Sequence, residues 1–534
     1  MQKIFWKKFS VQRDQDDKPG VISERGYMTN IILLWLFAMQ QWAAGTTLEP
    51  KFQEKVLNAP LSGNLRVEEG EFHSHNGDTV LQVERVLKGE APYSKLMLLV
   101  VGGPGLYPHS YYRLFEYLAT FVPSFVAYVS VQRGLDKGFE TLVKNVTELK
   151  ISTTEFALDN LQLLKFIERE HGMKAYIHAH SYGTFVAQKM ILHEPEIISK
   201  LLMEATVPLD YKYDVHLKPI RQALFDNLMD ICSKSQSCNS KINKQMIVDS
   251  FKTIKSGKGM NSCMVAARDA FKQKHKKPFI QALKYHLDIS LNASVSFSTI
   301  LKYFHDLIVC VPDFDPLSIC DPVPDRFVPL MGRRSVSKGR SDEPHEFIFS
   351  LIAFSELWGN NGIEASEDES LIFPPICLKN FPRLQERVSD YLNPPVEDPP
   401  MKMKKQDGHV IFISGLLDPS LVSDYGHEVG RKLSNIYSVD EFVFPTAGHN
   451  LSDKNVGCSR ESLEYFLDLG EKDALLDCLA GHQTFPDSDF EWTVIEDNLI
   501  VPLMISLFVL FLLLTVGLLV LYSALKKPVI VHKV

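Results

Sequence analysis

Three side chains suited to nucleophilic catalysis lie far apart in this chain: Ser181, Asp418 and His449. A serine hydroxyl is a poor nucleophile at neutral pH until a base within hydrogen-bond reach takes its proton. His449 is the candidate base, taking the Ser181 proton and later passing it to the leaving group. Asp418 would hold the imidazole in one tautomer and stabilise the imidazolium. The reaction also needs N–H donors for the oxyanion that forms at the attacked carbon. The N–H of Tyr182, next after the nucleophile, is one candidate. Gly103, in Gly102-Gly-Pro-Gly105, is the other, because glycine backbone can approach a ligand without a Cβ in the way. Together these groups would carry acyl transfer to water, which is amide or ester hydrolysis.

The elements around them have the right pattern. Ala175–Ala179 is a short apolar, β-prone run, and Thr184–His193 carries a helical pattern. Ser181 therefore falls on a sharp strand-to-helix turn that lifts its hydroxyl out of the sheet. Small residues are required two positions either side, and Ala179 and Gly183 supply them, with Ala where Gly is usual. Leu96–Val101 is a buried strand ending in the glycine loop. His409–Ser414 is another, leading through Gly415-Leu-Leu to Asp418, and Glu441–Phe444 leads through Pro445-Thr-Ala-Gly448 to His449. The order Ser, Asp, His at strand ends is that of the α/β-hydrolases.

The expected fold class is α/β: an α/β-hydrolase fold with a large, mainly helical cap insertion, plus a C-terminal transmembrane helix. Arg66–Val86 reads as two strands joined at Asn76-Gly77. The spacing then predicts a helix over Tyr111–Thr120, a strand over Phe125–Val131, a helix over Thr153–Glu168 and a strand over Lys200–Thr206. Between about Pro208 and Pro400 the alternation gives way to helical, cysteine-bearing sequence ending in Asn393-Pro-Pro-Val-Glu-Asp-Pro-Pro400, a stiff connector. The core is thus expected at 66–207 and 401–480, and the cap at 208–400. A cap shapes the substrate pocket and disfavours long substrates.

Gly102-Gly-Pro-Gly105, Gln132-Arg133-Gly134, Ser181-Tyr-Gly183, Asp418 and His449 together resemble the proline iminopeptidase and tripeptidyl aminopeptidase group, peptidase family S33. The resemblance runs from roughly Arg66 to Leu479. It departs from the family at Val101, where the loop usually begins with His, at Val131, where Asp is usual, and in Leu135–Gly138. None of these positions is in the triad, so hydrolysis survives the comparison better than specificity. The resemblance implies an aminopeptidase, which must bind a free α-ammonium through carboxylates near the mouth of the site. Glu204, at the end of its strand, is one candidate. Glu356, in Ile352-Ala-Phe-Ser-Glu356-Leu-Trp358, resembles a cap motif that keeps an acidic residue in related peptidases. Trp358 is read as a wall for proline or, more simply, as a core residue.

The ends of the chain place this enzyme outside the cytosol. Residues 1–45 read as a leader and signal peptide, with an apolar run at Ile31–Met39 before Ala43-Ala44-Gly45. Translation from Met28 would give a signal peptide of ordinary length. Leu499–Tyr522 is uncharged and long enough to span a bilayer. Lys526-Lys527 follow at once and acidic residues precede, so the tail 523–534 is cytoplasmic and 481–498 is a juxtamembrane stalk. That is a type I membrane protein with its catalytic domain extracellular or lumenal. All 8 cysteines fall in the ectodomain, which fits disulfides. Near neighbours Cys232/Cys238, Cys310/Cys320 and Cys458/Cys478 are the expected pairs. Sequons begin at Asn145, Asn292 and Asn450, the last too close to His449 to carry a glycan.

No metal or cofactor is called for, and no cysteine spacing resembles a zinc site. A net charge of −8 gives no reason to expect nucleic acid. The basic run Lys272–Lys277 reads as a solvated face, and composition sets no oligomeric state. The leading reading is a membrane-anchored serine aminopeptidase acting on short peptides, with proline the candidate N-terminal residue. A carboxylesterase or lipase on the same triad is the alternative, and a non-catalytic cell-surface adhesion or receptor protein is a third. The intact Ser181, Asp418 and His449 argue against the third.

Overall fold

The computed structural model describes residues 51–485 apart from 58–59, 137–138, 276–278, 281–282, 284–286, 288–296, 312–313, 318–343, 360–384, 387, 393–397 and 403. The expected leader, membrane span and cytoplasmic tail lie outside the described residues, as do Cys320 and Cys377. Among the described residues no helix is long and apolar enough to cross a membrane.

Nine strands form one sheet in the order β1-β2-β3-β5-β4-β6-β7-β8-β9. They are β1 (Gln53–Glu54), β2 (Leu65–His73), β3 (Val80–Lys88), β4 (Lys95–Val100), β5 (Phe125–Ser130), β6 (Tyr176–His180), β7 (Lys200–Glu204), β8 (His409–Gly415) and β9 (Ser438–Phe444). The pairs β1–β2, β2–β3 and β3–β5 are antiparallel, and β5–β4 through β8–β9 are parallel. This is the α/β-hydrolase fold. Strands covered on both faces read as continuous apolar runs, and that is why β4 and β5 are buried almost end to end. The hairpin β2–β3 turns at Asn76-Gly77, where Gly77 has φ +69°, a conformation in which a Cβ is costly.

Parallel strands need crossovers, which are usually helical. In the first half of the core they include α1 (Tyr112–Leu118), α2 (Phe139–Leu149), α3 (Thr153–His171) and α4 (Tyr182–His193). α3 starts at Ser152, whose hydroxyl accepts the Glu155 N–H, and ends at Gly172 in the left-handed conformation. The order reversal matters most for function. β4 lies between β5 and β6, with Val100 beside Ala179 in register, so the glycine loop and Ser181 leave the sheet as neighbours.

Between β7 and β8 every described element is helical: α5 (Tyr213–Lys234), α6 (Gln236–Asn239), α7 (Lys244–Ser256), α8 (Ser262–His275), α9 (Phe297–Val309) and α10 (Pro344–Glu356). The insertion does not pack as one body. Residues of α5 to α9, among them Leu228, Phe271, Leu301 and Phe304, form a hydrophobic cluster of their own. α10 instead places Phe347, Ile348, Leu351 and Ile352 in the cluster under the sheet. The chain closes with α11 (Asp424–Leu433), α12 (Ser459–Phe466) and α13 (Lys472–Gly481).

Disulfides join Cys232–Cys238, Cys263–Cys310 and Cys458–Cys478. The expected Cys310/Cys320 pair is therefore replaced. α8 and α9 pack side by side, which brings Cys263 and Cys310 to a Cα separation of 5.2 Å, well inside bridging range. Proximity along the chain was the wrong guide there.

Candidate active site

The site begins at a strained residue. Ser181 has φ +55° and ψ −124°, a conformation disfavoured for any side chain with a Cβ and characteristic of a nucleophile turn. Its neighbours hold it there. The Ser181 N–H donates to the Glu204 carbonyl at 2.8 Å, and its own carbonyl accepts from the Thr184 N–H at 2.8 Å and the Thr184 hydroxyl at 2.7 Å. Gly183 is required because a Cβ on it would lie 2.1 Å from the Val100 carbonyl oxygen. Ala179 is fully buried in β6 and fits.

The other two triad members come from adjacent strands, β8 and β9. Leu416 N–H donates to the Phe444 carbonyl and Leu417 N–H to the Ala447 carbonyl, both at 3.0 Å, stitching the two exit loops together. Gly415 permits it, since a Cβ there would meet the Gly448 oxygen at 2.1 Å. The result is a complete chain of contacts. His449 Nε2 is 2.9 Å from Ser181 Oγ, and His449 Nδ1 is 2.7 Å from Asp418 Oδ2. A carboxylate only accepts, so Nδ1 carries the proton and Nε2 is free to accept the serine hydroxyl. Asp418 Oδ1 accepts the N–H groups of Ser420 at 2.7 Å and Leu421 at 3.0 Å, which fixes the carboxylate's direction. Burial pulls the His449 pKa down, but the charge and hydrogen bond of Asp418 outweigh it and the net direction is up from 6.5.

The oxyanion donors follow by elimination. In the glycine loop the Gly102 N–H donates to the Tyr111 hydroxyl at 2.6 Å and the Gly105 N–H donates to Gln132 Oε1 at 3.0 Å. Pro104 has no N–H. Among the described residues nothing takes the Gly103 N–H, so it is the loop donor left for an oxyanion. Tyr182 is the first residue of α4, and its N–H has no acceptor within the helix. Gln132-Arg133-Gly134 is scaffold for this loop. Gln132 anchors Gly105, while Arg133, buried, grips Asp159 through Nε at 2.7 Å and a second nitrogen at 2.9 Å.

The two carboxylates proposed for a substrate amine fare differently. Glu204 does not face an opening: it is 2% exposed. One oxygen accepts the N–H groups of Leu451 at 2.6 Å and Ser452 at 2.9 Å, and the other meets the Ser452 hydroxyl at 2.5 Å and His178 Nε2 at 2.8 Å. Burial pushes its pKa up, yet the flanking His180 and His178 and these hydrogen bonds hold the carboxyl well below its ordinary range. Glu204 clamps the segment after His449, and no acceptor is left over for an ammonium ion. Its strand position was read correctly and its surroundings were not, because the loop that covers it comes from more than 240 residues away. Glu356 lies at the end of α10 and accepts the Thr153 N–H at 2.8 Å, at the start of α3. Burial pushes its pKa up. Thr153 also receives the Tyr182 hydroxyl at 3.0 Å, so Glu356 stands one residue's reach from the nucleophile turn. Trp358 packs against Phe354, ring centroids 5.1 Å apart, and belongs to the core.

Sequence reasoning passed over Tyr111 and His180. His180 was visible inside the nucleophile motif, but nothing in the spacing marks Tyr111 as more than the start of a helix.

No protein-family model matches this chain, and no curated protein matches it. Solved structures with a similar arrangement include epoxide hydrolase A from Mycobacterium thermoresistibile, 14% identical over 78% of this chain and 98% of its own, with a TM-score of 0.30. A carboxyl esterase from Bacillus coagulans is 11% identical over 78% and 99%, with a TM-score of 0.32. Oligopeptidase B from Trypanosoma brucei is 12% identical over 80% of this chain and 39% of its own, also at 0.32. Scores this low carry no argument about activity; strand order, the turn at Ser181 and the triad carry the assignment.

Proposed function

We propose that this protein is a serine hydrolase working through an acyl-enzyme, and that its substrates are short peptides from which it releases N-terminal residues. The observation that carries the hydrolase reading is the continuous Ser181–His449–Asp418 contact beside two available N–H donors. Ser181 Oγ attacks the carbonyl carbon, its proton moves to His449 Nε2, and the oxyanion sits on the N–H groups of Gly103 and Tyr182. His449 then protonates the leaving amine. Water repeats the sequence to free the acid.

The aminopeptidase reading leans on Glu356, buried and close to Tyr182, and on the family resemblance of the glycine loop. Glu356 alone would supply the anionic contact for a substrate ammonium. A carboxylesterase is the second reading, and Glu204 favours it, because that carboxylate is wholly used inside the fold. We place the protein in a membrane by Leu499–Tyr522, with the catalytic domain extracellular or lumenal; three disulfides suit that oxidising setting.

Purified full chain in detergent, beside Ser181→Ala, should be offered a proline amide with a free amine, its N-acetylated form and a short-chain ester. Cleavage of the free-amine compound alone supports the aminopeptidase. Ester cleavage alone moves the assignment to the esterase, and folded protein without turnover on any of them removes both. Glu356→Gln should weaken turnover of the free-amine compound by about tenfold or more, as expected for a lost charge-assisted contact, and far more than any residual turnover of the N-blocked compound.

A further inference from the structure

His180 stands between the two halves of the site. Its Nε2 is 3.3 Å from the His449 carbonyl oxygen and its Nδ1 is 3.1 Å from the Tyr111 hydroxyl. A carbonyl oxygen cannot donate, so Nε2 carries the hydrogen and Nδ1 must accept. Tyr111 therefore donates to Nδ1, and the Tyr111 oxygen accepts the Gly102 N–H at 2.6 Å. Each link has only one possible direction. The His180 and His449 rings also lie 5.1 Å apart, so a charged His180 would oppose the imidazolium that forms on His449 during reaction. Burial keeps His180 neutral, its pKa lowered to about 4.

We infer that Tyr111 and His180 are positioning residues: their hydrogen bonds tie the oxyanion loop to the loop of the catalytic histidine, and this pair acts as one unit that aims the Gly103 N–H. The peptide at Gly102 is held by Tyr111, and the next peptide carries the Gly103 donor. On the far side Gln132 holds Gly105. Without Tyr111 the loop has one anchor in place of two, while Ser181, His449 and Asp418 keep their own contacts. Tyr111 and His180 both pack closely on Gly102: a Cβ placed on it would lie 3.0 Å from the His180 carbonyl oxygen and from the Tyr111 hydroxyl.

This inference rests on Ser181 being the nucleophile, and a fluorophosphonate probe separates the two ideas. Ser181 Oγ displaces fluoride at phosphorus, its proton passes to His449, and charge gathers on the phosphoryl oxygen at the Gly103 donor. Labelling of the full chain in detergent, absent in Ser181→Ala, establishes the nucleophile first. No labelling of folded wild type would remove the hydrolase reading itself, and the inference with it. Given labelling, Tyr111→Phe and His180→Phe should each slow it by about tenfold or more, short of the 10²–10³ for deleting an oxyanion donor outright. The double variant should be no slower than the slower single, since partners in one network are not additive. His180→Gln keeps an acceptor and a donor where phenylalanine keeps only shape, and it should recover to within about threefold of wild type. Melting temperatures separate mispositioning from unfolding, and Tyr111→Phe with His180→Gln suffice if His180→Phe does not fold. The inference is overturned by Tyr111→Phe labelling at the wild-type rate, by losses that multiply in the double variant, or by a well-folded His180→Gln as slow as His180→Phe.

Discussion

The sheet and the helical insertion of this protein are stabilised in different ways. In the sheet, strands such as Phe125–Ser130 are buried along their whole length, and backbone ladders fix where each strand ends. The insertion has no ladder among its described residues. Its first part is a cluster of apolar helices closed by Cys232–Cys238 and Cys263–Cys310. Chemistry that tolerates errors of a few tenths of an ångström is carried by the ladder ends. The first part of the insertion touches that chemistry at its edges, while Glu356 of α10 reaches Thr153 beside the nucleophile turn. Phe297 lies within 3.5 Å of where a Cβ on Gly448 would be, Asn227 donates to the Leu416 carbonyl at 3.1 Å, and Leu417, next to Asp418, belongs to the insertion's cluster. The difference teaches that the ladder ends hold the triad in place and that the insertion packs around it.

The sharpest way to break that division is at the ladder itself. Ser181→Ala should lower kcat by about 10⁶-fold with a nearly unchanged melting temperature, because it removes one oxygen whose side-chain partner is His449 alone. A comparable rate in purified variant would dissociate the site from the activity.

Asp418→Asn should cost about 10⁴-fold in kcat by letting His449 take the wrong tautomer. It also tests pH. His449 works only when neutral, and its folded-state pKa is raised above 6.5. Wild-type kcat/KM should therefore rise with pH through a midpoint above that value, and the midpoint should move down in Asp418→Asn, where the charge that raises it is gone. An acid limb unmoved by the substitution would mean that another group titrates.

Glu204→Gln sharpens the comparison from the stability side. It replaces the carboxylate of a buried hydrogen-bond cluster by a neutral amide and should cost about 1.5–3 kcal/mol of unfolding free energy. The loss should come with lower kcat, because the segment after His449 is no longer clamped. The stabilisation from Glu204 is present above the carboxylate's unfolded pKa and is lost as pH falls toward its depressed folded value, so the variant's deficit should shrink in acid. Chemical denaturation at two pH values reads both.

The smallest effect on catalysis belongs to the insertion. Breaking Cys263–Cys310 with Cys263→Ser and Cys310→Ser should cost about 2–4 kcal/mol of stability. Hydrogen exchange should show the loss in α8 and α9, and ester or amide turnover should fall by no more than about threefold, as local openings outside the site predict. A collapse of turnover equal to that of Asp418→Asn would show that the walls also hold the reaction in place.

Much of the site was legible because its signals are local. The apolar runs at Leu96–Val101 and Ala175–Ala179, the glycines after the first, and the small residues flanking Ser181 are features of neighbouring residues, and strand periodicity and turn chemistry act over that range. The order Ser, Asp, His then restricted the topology, and the β2–β3 hairpin announced itself through Asn76-Gly77.

What the chain alone determined about this protein is therefore most of its strands, its turn at Ser181 and the identity of the three side chains that meet there. Tertiary structure alone decided which partners the remaining polar groups find. Glu204 sits where the sequence placed it, yet a loop from the far end of the chain uses up its oxygens. Cys310 bonds a residue 47 positions away in place of one nearby. α10 joins the core rather than the helices that precede it, and Tyr111 meets His180 across 69 residues. In each case the partner is selected by what folding brings close, and for Glu204 and Tyr111 by the cost of leaving a buried polar group unpaired; no local pattern carries that information.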